Sequence, residues 1–197
     1  MRRLRYSVGM SLDGYIAGPK GEADWLFMDP EIDFGAMLAQ YDTLLMGRKT
    51  YEAAAEMGGG GMFPGMKVVV VSRTLKPKAH PKVAIVSGDL KEAVEALKAQ
   101  PGRDIWLFGG GELFRGCLAQ GLVDDVEVGL IPILLGGGIP LLLPPADRAP
   151  LRLSSHRVYG KTGTVMLRYE VAVPAVRKSR GRKPSSGRGA RSRDPQP

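Results

Sequence analysis

An apolar run that passes directly into a basic helix start constrains the fold of this chain more than any other feature. Leu44–Met46 is typical of a buried strand that stops at Gly47, and a helical run begins at Tyr51. The residues between them are two cations and a hydroxyl. The start of a helix offers unpaired backbone N–H groups and the positive end of its dipole. The stretch therefore predicts an anion-binding turn at the carboxyl end of a strand, where open α/β sheets bind ligands.

Eight apolar runs are predicted to form strands, and several are continuous and β-branched, as in a sheet covered on both faces. They are Leu4–Met10, Thr43–Met46, Val68–Val71, Val83–Val86, Ile105–Phe108, Val126–Ile131, Leu151–Val158 and Thr164–Val173. Helical runs between the early strands are Ile32–Ala39, Tyr51–Glu56, a run capped by Asp89, and Glu112–Ala119. The last two strands predict an antiparallel hairpin. This order predicts an α/β fold with one mostly parallel sheet and an antiparallel edge.

The net charge of +8 is concentrated at the carboxyl terminus. From Pro174 to Pro197 there are eight basic residues and one acid, so this segment carries +7 and residues 1–173 carry +1. The segment is rich in Gly, Ser, Pro and Arg, which predicts a disordered tail, 174–197, after a folded domain of residues 1–173. We expect a solvated extension. Nonspecific contact with nucleic acid is the alternative, which the lack of aromatic residues in the tail disfavours.

The composition disfavours metal, disulfide and membrane functions. Cys117 is the single cysteine, and His80 and His156 are far apart in sequence, so we predict neither an intrachain disulfide nor a metal site. The longest apolar stretch, Val126–Leu143, is broken by proline and glycine and is shorter than the roughly 20 residues of a membrane helix. The amino terminus does not read as a signal peptide, so we expect a cytoplasmic protein.

Two further turns complete a predicted dinucleotide site. Gly109–Gly111 follow the strand Ile105–Phe108 and open a helix, so a pyrophosphate can approach the bare backbone closely, although a tight turn explains three glycines about as well. Ser72 and Arg73 follow the strand Val68–Val71 and can hold a phosphate monoester such as a ribose 2′-phosphate. The extra phosphate favours NADPH over NADH.

The loop Ser11–Ala17 and the segment after it supply candidates for the reacting end of the site. Asp13-Gly14 is a strong turn signal, and this loop is either a simple turn or a cover over a reactive ring, with Ile16 as an apolar contact.

Carboxylates and aromatic residues cluster just before and within the first helical run. Asp29, Glu31 and Asp33 lie near Trp25 and Phe34. An acid near a helix start is usually a cap or a dipole partner. An acid beside aromatic rings can instead orient a heterocycle and donate a proton. Spacing does not decide which of the three acids has that role.

Four motifs resemble those of the dihydrofolate reductase-like superfamily and occur along this chain in the same order as in that superfamily. They are Met46–Glu52, the run from Phe63 to Arg73, Gly109–Leu113 and Ser11–Ala17, and the similarity extends from residue 4 to about residue 172. The last motif is closer to reductases similar to the C-terminal domain of the riboflavin-biosynthesis deaminase-reductase. The resemblance implies an eight-stranded sheet flanked by helices, and hydride transfer from NADPH to a bound substrate.

The resemblance also implies roles for individual residues. Those expected to hold the cofactor are Gly47, Arg48, Lys49, Thr50, Ser72, Arg73, Gly109, Gly110, Gly111, Glu112 and Leu113, with Asp13, Gly14 and Ile16 near the nicotinamide. Trp25 and Phe34 would line the substrate side, and Asp33 or Glu31 would be the catalytic acid. The substrate is expected to be the phosphorylated aminopyrimidine of riboflavin synthesis or a pterin, with a non-catalytic NADPH-binding module as the alternative.

Self-association is a further expectation. The stretch Val126–Leu143 is more apolar than one edge strand requires, and Ile133–Leu135 is a candidate for pairing with a second copy. We therefore expect a homodimer that binds a small-molecule substrate.

Overall fold

The computed structural model describes residues 1–56 and 65–172, so the predicted basic tail and the start of the Phe63–Arg73 motif lie outside it. The strands are β1 (Leu4–Ser11), β2 (Tyr15–Ala17), β3 (Tyr41–Gly47), β4 (Lys67–Val71), β5 (Ala84–Val86), β6 (Asp104–Gly109), β7 (Asp125–Ile131), β8 (Ile139–Pro140), β9 (Leu151–Val158) and β10 (Val165–Val171). The helices are α1 (Phe34–Leu38), α2 (Arg48–Glu56), α3 (Leu90–Ala99) and α4 (Gly111–Ala119), with a short 3₁₀ helix at Pro77–Ala79.

Eight of these strands form one sheet in the order β5-β4-β3-β6-β1-β7-β10-β9. The first six are parallel to their neighbours, and β10 is antiparallel to both β7 and β9. The predicted α/β fold with an antiparallel C-terminal hairpin is confirmed. All eight strand runs predicted from the sequence occur in this sheet.

Two apolar clusters cover opposite faces of the sheet. The larger joins α3 and α4 to one face, where Val94 and Phe114 pack near Tyr6 and Leu107. The smaller joins α1 and α2 to the other face around Trp106. Side chains of successive strand residues point to opposite faces, so continuous apolar runs supply both clusters.

Two helices begin elsewhere than the sequence indicates. The helix predicted to begin at Tyr51 begins at Arg48, immediately after β3, because the ion pair between Arg48 and Glu52 (2.8 Å) supports its first turn. The helix predicted from Ile32 begins only at Phe34, since Oδ1 of Asp33 accepts the Ala36 N–H at 2.8 Å and caps it.

The predicted loop Ser11–Ala17 is partly a strand. Tyr15 and Ala17 pair with β8 in a separate two-stranded sheet. A strand pair this short has no repeating apolar pattern from which the sequence could predict it.

The two ends of the described domain meet at the amino edge of the parallel strands. The carbonyl of Leu4 accepts the N–H of Asp124, and the N–H of Val171 donates to the carbonyl of Asp124 at 3.0 Å. Within the described ranges, no helix has the length and hydropathy needed to cross a membrane.

Candidate active site

Three of the predicted turns follow three neighbouring parallel strands. In the sheet, β3 lies between β4 and β6, with Gly47 level with Val71 and Met46 level with Gly109. Parallel strands end at the same edge of a sheet, so the turns after β4, β3 and β6 form one continuous rim. That rim is where open α/β sheets bind ligands.

The turns after β3 and β6 are in contact. A Cβ added to Gly110 would lie 3.2 Å from Oγ1 of Thr50, and one added to Gly109 would lie 3.4 Å from Cγ2 of Thr50. Both bends therefore face the same side of the molecule. A Cβ at Gly47 would meet nothing within 4 Å, so the space beside the β3 turn is open.

The triple glycine places the start of α4 at this rim. Gly110 has a φ of +67°, a conformation that L side chains rarely adopt, and the first helical bond runs from the Phe114 N–H to the Gly110 carbonyl at 3.0 Å. The N–H groups of residues 111–113 therefore precede the first bonded turn and point toward the rim. The ring of Phe114 stacks on Tyr6 at 3.9 Å, which fixes α4 against β1. Because the side chain of Glu112 is anionic, it is the backbone N–H of this residue that suits a phosphate.

The two arginines at the rim differ in their surroundings. Arg48 is paired with both carboxylate oxygens of Glu52, at 2.8 and 3.0 Å. Arg73 is exposed and has no hydrogen bond or ion pair within the described part of the chain. The hydroxyl of Ser72 is buried and accepts the N–H groups of Thr74 and Leu75, so it shapes the turn that presents Arg73.

Asp13 is a clamp between two loops. Its carboxylate accepts the hydroxyl of Ser11 at 2.6 Å and the N–H groups of Leu135 and Gly136. The Ser11 hydrogen bond and these backbone hydrogen bonds hold the pKa of Asp13 below its ordinary value. Its charge therefore holds the loop in place.

The clamped loop lies against the start of α4. The carbonyl of Gly14 accepts the N–H of Leu141, and Leu143 occupies the position that a Cβ on Gly111 would need. Gly14 and the neighbouring Ile16 therefore border the same rim as the triple glycine.

The three candidate acids have different environments. Asp29 is buried, and its carboxylate accepts the N–H and the hydroxyl of Thr162. The carboxylate of Glu31 is paired with Lys161 at 3.4 Å. Asp33 caps α1 with one oxygen and lines a groove between α1 and the β9–β10 hairpin. The second oxygen of Asp33 accepts no hydrogen bond from the described residues, and the side chain borders this groove.

Of the aromatic candidates, Phe34 begins α1, which forms one wall of that groove. Phe34 is 40% exposed at the start of α1, and Nε1 of Trp25 donates to the carbonyl of Glu22. Leu26 lies directly over Gly9, near the end of β1. Sequence reasoning missed Gly9 and Leu26, because a strand glycine is informative only once its cross-strand neighbours are known.

The described residues hold no candidate metal centre, and the one cysteine is buried. Within residues 1–56 and 65–172, no group of three or more His, Cys, Asp and Glu residues is placed to hold a metal ion. Cys117 is buried in α4, and burial raises the pKa of its thiol to about 12, which disfavours the thiolate.

Comparison with known proteins assigns the family. The profile of the RibD C-terminal domain matches residues 2–165. The chain belongs to this family. The Bacillus subtilis proteins YyaP and YwjB are 32% and 30% identical to it, each over 85% of this chain, and the matches cover 94% and 97% of those proteins. RibD of Mycobacterium tuberculosis is 28% identical over 69% of the chain, a match that covers 44% of RibD itself.

Solved structures with the RibD-like reductase fold superpose on the chain. A protein of Shewanella sp. PV-4, whose name assigns it to riboflavin biosynthesis, has a TM-score of 0.75 and 26% identity, with 87% of this chain and 99% of that chain covered. The Thermotoga maritima deaminase and 5-amino-6-(5-phosphoribosylamino)uracil reductase has a TM-score of 0.66 and 15% identity, over 87% of this chain and 57% of that one. The second likeness concerns the fold alone.

Proposed function

We propose that this RibD C-terminal domain protein is an NADPH-dependent reductase that transfers hydride to a small heterocyclic or ribosylated substrate. The first candidate substrate is 5-amino-6-(5-phosphoribosylamino)uracil, which appears in the name of the Thermotoga relative. The observation that supports the proposal most strongly is the contact of Thr50 with Gly109 and Gly110, since it joins the two turns proposed to bind phosphate into one site.

The rim suits a dinucleotide along its whole length. Arg73 and Arg48 would hold the 2′-phosphate, the N–H groups at the start of α4 the pyrophosphate, and the loop at Gly14 the nicotinamide. These positions follow β4, β3, β6 and β1, which span three strand spacings of about 4.8 Å each, roughly 14 Å in total. An extended dinucleotide can cover that distance.

The chain's own residues would act mainly by positioning. When bound, NADPH supplies the hydride, and the protein must hold the acceptor carbon of the substrate against the nicotinamide and exclude water. Leu26 and Trp25 would cover the acceptor, and the second oxygen of Asp33 would accept an N–H of the heterocycle or relay a proton. No nucleophilic residue is required.

Reduction of dihydrofolate or another pterin is the alternative activity. The exposed ring of Phe34 beside Asp33 supports it, since an apolar face and a carboxylate can hold a pterin ring. A protein that binds NADPH without turnover is the non-catalytic alternative.

The test measures NADPH oxidation by the loss of NADPH absorbance. The separate acceptors are 5-amino-6-(5-phosphoribosylamino)uracil, dihydrofolate and dihydrobiopterin. We expect turnover with the aminopyrimidine. Turnover with dihydrofolate alone would favour the pterin alternative, and NADPH binding without any turnover would favour the non-catalytic module. Failure to bind NADPH would refute the proposal altogether.

A further inference from the structure

A cavity of about 940 Å³ lies at the amino edge of the parallel strands, the edge opposite the rim. Its lining includes the residues just before β1 and β7 and the last residue of β10, together with α4 and the segment 142–150. Because β1 has 8 residues at about 3.3 Å each, the two edges lie roughly 25 Å apart. The cavity is therefore separate from the turns proposed to hold the cofactor, and its volume suits a small molecule.

The inner wall of this cavity is apolar. Leu118, Val123 and Leu142 line it, and all three also pack in the larger apolar cluster beside the sheet. Pro145 and Pro150 continue the apolar lining. These side chains offer no hydrogen bonds, so this wall suits an apolar ring or chain that would otherwise contact water.

Most of the charged side chains around the cavity are already neutralised by ion pairs. The pairs are Lys98 with Asp124 at 2.6 Å, Arg3 with Asp125 at 2.6 Å, Arg2 with Asp42, and Glu170 with Arg152. Cations that are held in this way have little charge left for a ligand.

Two arginines at the cavity have no carboxylate partner. Arg115 is half-buried on α4, and its Nη1 donates to the carbonyl of Pro144 at 3.2 Å, which directs the guanidinium toward the segment 142–150. Arg148 is exposed on that segment. Neither arginine forms an ion pair within the described residues, and the same is true of exposed Asp147. A guanidinium with unused donors is suited to a carboxylate, a sulfonate or a phosphate.

We propose that this cavity binds a small amphiphilic anion. Its apolar ring or chain lies against Leu118, Val123 and Leu142, and its acidic group contacts Arg115 and Arg148. Both features of the lining select this class of ligand. An inorganic anion would leave the apolar wall in contact with water, and an uncharged compound would leave the guanidinium groups without a partner. The site goes beyond the proposed reductase function and does not depend on it.

The experiment compares two fluorescent probes of nearly the same shape on the full-length protein. Anilinonaphthalene sulfonate joins an apolar ring system to an anion, and phenylnaphthylamine is its uncharged counterpart. We expect wild type to bind the sulfonate more tightly than the uncharged probe. Arg115→Gln should raise the Kd of the sulfonate roughly ten-fold, and Arg148→Gln, at an exposed residue, about three-fold. Neither variant should change the Kd of phenylnaphthylamine.

Arg103→Gln is the matched control. Arg103 is an exposed arginine outside the cavity, and its Nη1 donates to the carbonyl of Ala39 at 3.1 Å, as that of Arg115 does to Pro144. This variant should bind both probes as wild type does. An equal loss in Arg103→Gln would show an effect of overall charge and overturn the assignment. Equal losses for the two probes in Arg115→Gln, with no effect of Arg148→Gln, would also overturn it.

Titration in the presence of NADPH separates this site from the rim. We expect NADPH to leave the binding of the sulfonate unchanged, and displacement of the probe by NADPH would overturn the assignment. No binding by wild type, the result expected if a second copy or another part of the chain fills the cavity, would overturn it as well. Failure of NADPH itself to bind would count only against the reductase proposal.

Discussion

At the residue scale, Arg73 and Arg48 flank the same proposed phosphate but differ in pairing. Arg73 has an uncommitted guanidinium, whereas Glu52 already neutralises Arg48. We predict that Arg73→Ala weakens NADPH binding by about 1.5–3 kcal/mol, because a charge-assisted contact is lost. Arg48→Ala should cost less. Neither change should weaken the binding of NADH, because NADH lacks the 2′-phosphate. Fluorescence titration of both cofactors provides the measurement.

Lys78→Ala is the control for these arginine variants. Lys78 is an exposed cation of the 3₁₀ helix that follows the same turn, and it has no ion pair within the described residues. If Lys78→Ala weakens NADPH binding as much as Arg73→Ala does, the loss reflects the overall positive charge of this region and not a specific contact of Arg73. Equal losses for NADPH and NADH would contradict the assignment of the 2′-phosphate to this turn.

The hydrogen bonds that Asp29 accepts from Thr162 make the stability of the folded protein depend on pH. Burial opposes its ionisation, but hydrogen bonds from the Thr162 hydroxyl and N–H and from the Glu31 N–H outweigh that effect and lower its pKa. The folded protein therefore favours the carboxylate. The stabilisation is complete above the ordinary pKa of about 4 and is lost as the pH falls through the lower folded value. Asp29→Asn should reduce the free energy of unfolding at neutral pH.

The difference between wild type and Asp29→Asn should shrink as the pH falls below about 4. Urea unfolding at a series of pH values measures it. Asp24→Asn, an exposed acid of the same segment without a hydrogen bond in the described chain, should leave stability unchanged throughout. A difference that persists unchanged at the lowest pH would show that the carboxylate is not the stabilising group.

Sequence reasoning reached the residues of the rim but not the roles of several acids. Gly47 and the triple glycine are predictable because each lies between a strand run and a helix run, which is a local signal. The functions of Asp13 and Asp29 depend on Leu135 and Thr162, partners more than 100 positions away in sequence. Only the folded chain brings those partners together, so spacing could not separate a loop clamp from a catalytic acid.

At the scale of elements, the junction between β6 and α4 depends on the backbone of Gly110. A residue with a side chain there would have to adopt a backbone φ of +67°, and its Cβ would lie 3.2 Å from Oγ1 of Thr50. We predict that Gly110→Ala destabilises the protein by about 1–3 kcal/mol and weakens NADPH, since the strain shifts the N–H groups at the start of α4. Thermal unfolding with and without NADPH tests both effects.

Gly160→Ala is the matched control for that glycine. A Cβ at Gly160 would meet nothing within 4 Å, and its φ lies outside the left-handed region. This variant should keep wild-type stability and NADPH affinity. Unchanged affinity in Gly110→Ala would argue that the pyrophosphate binds elsewhere.

Element boundaries were the least predictable part of the fold. Strand positions followed from apolar runs, whereas the start of α2 at Arg48 depends on an ion pair that forms only when the helix already exists. The β2–β8 pair depends on contacts between segments more than 120 residues apart. Neither has a periodic pattern that sequence reasoning could use.

At the scale of the whole molecule, β9 is an uncovered edge. All eight of its residues are exposed, and Leu153 and Val158 are 49% and 64% accessible. An exposed edge strand offers unpaired backbone groups that pair with other chains unless it is protected, and Leu151, Leu153 and Val158 add exposed apolar side chains to this one. We propose that β9 is the contact surface of the expected homodimer. Ile133–Leu135 suits this role less well, since the Leu135 N–H is bonded to Asp13 and the Ile133 carbonyl to Leu12.

Light scattering during size-exclusion chromatography measures the state of assembly. We expect a dimer for wild type and a monomer for Leu153→Lys, because a buried lysine would be unpaired at the contact. Leu134→Lys, at a residue that is 68% exposed, should remain a dimer. A monomer for Leu134→Lys alone would move the contact to the Ile133–Leu135 stretch, and a monomeric wild type would contradict self-association.

The meeting of both chain ends at Asp124 has a practical consequence for handling the protein. Leu4 and Val171 are held at the edge of the sheet farthest from the glycine-rich rim. A purification handle or immobilising linker placed ahead of Leu4 would emerge on the distal side. Surface-attached protein should therefore present the glycine-rich rim to solution, which suits optical binding assays without cleavage of the handle.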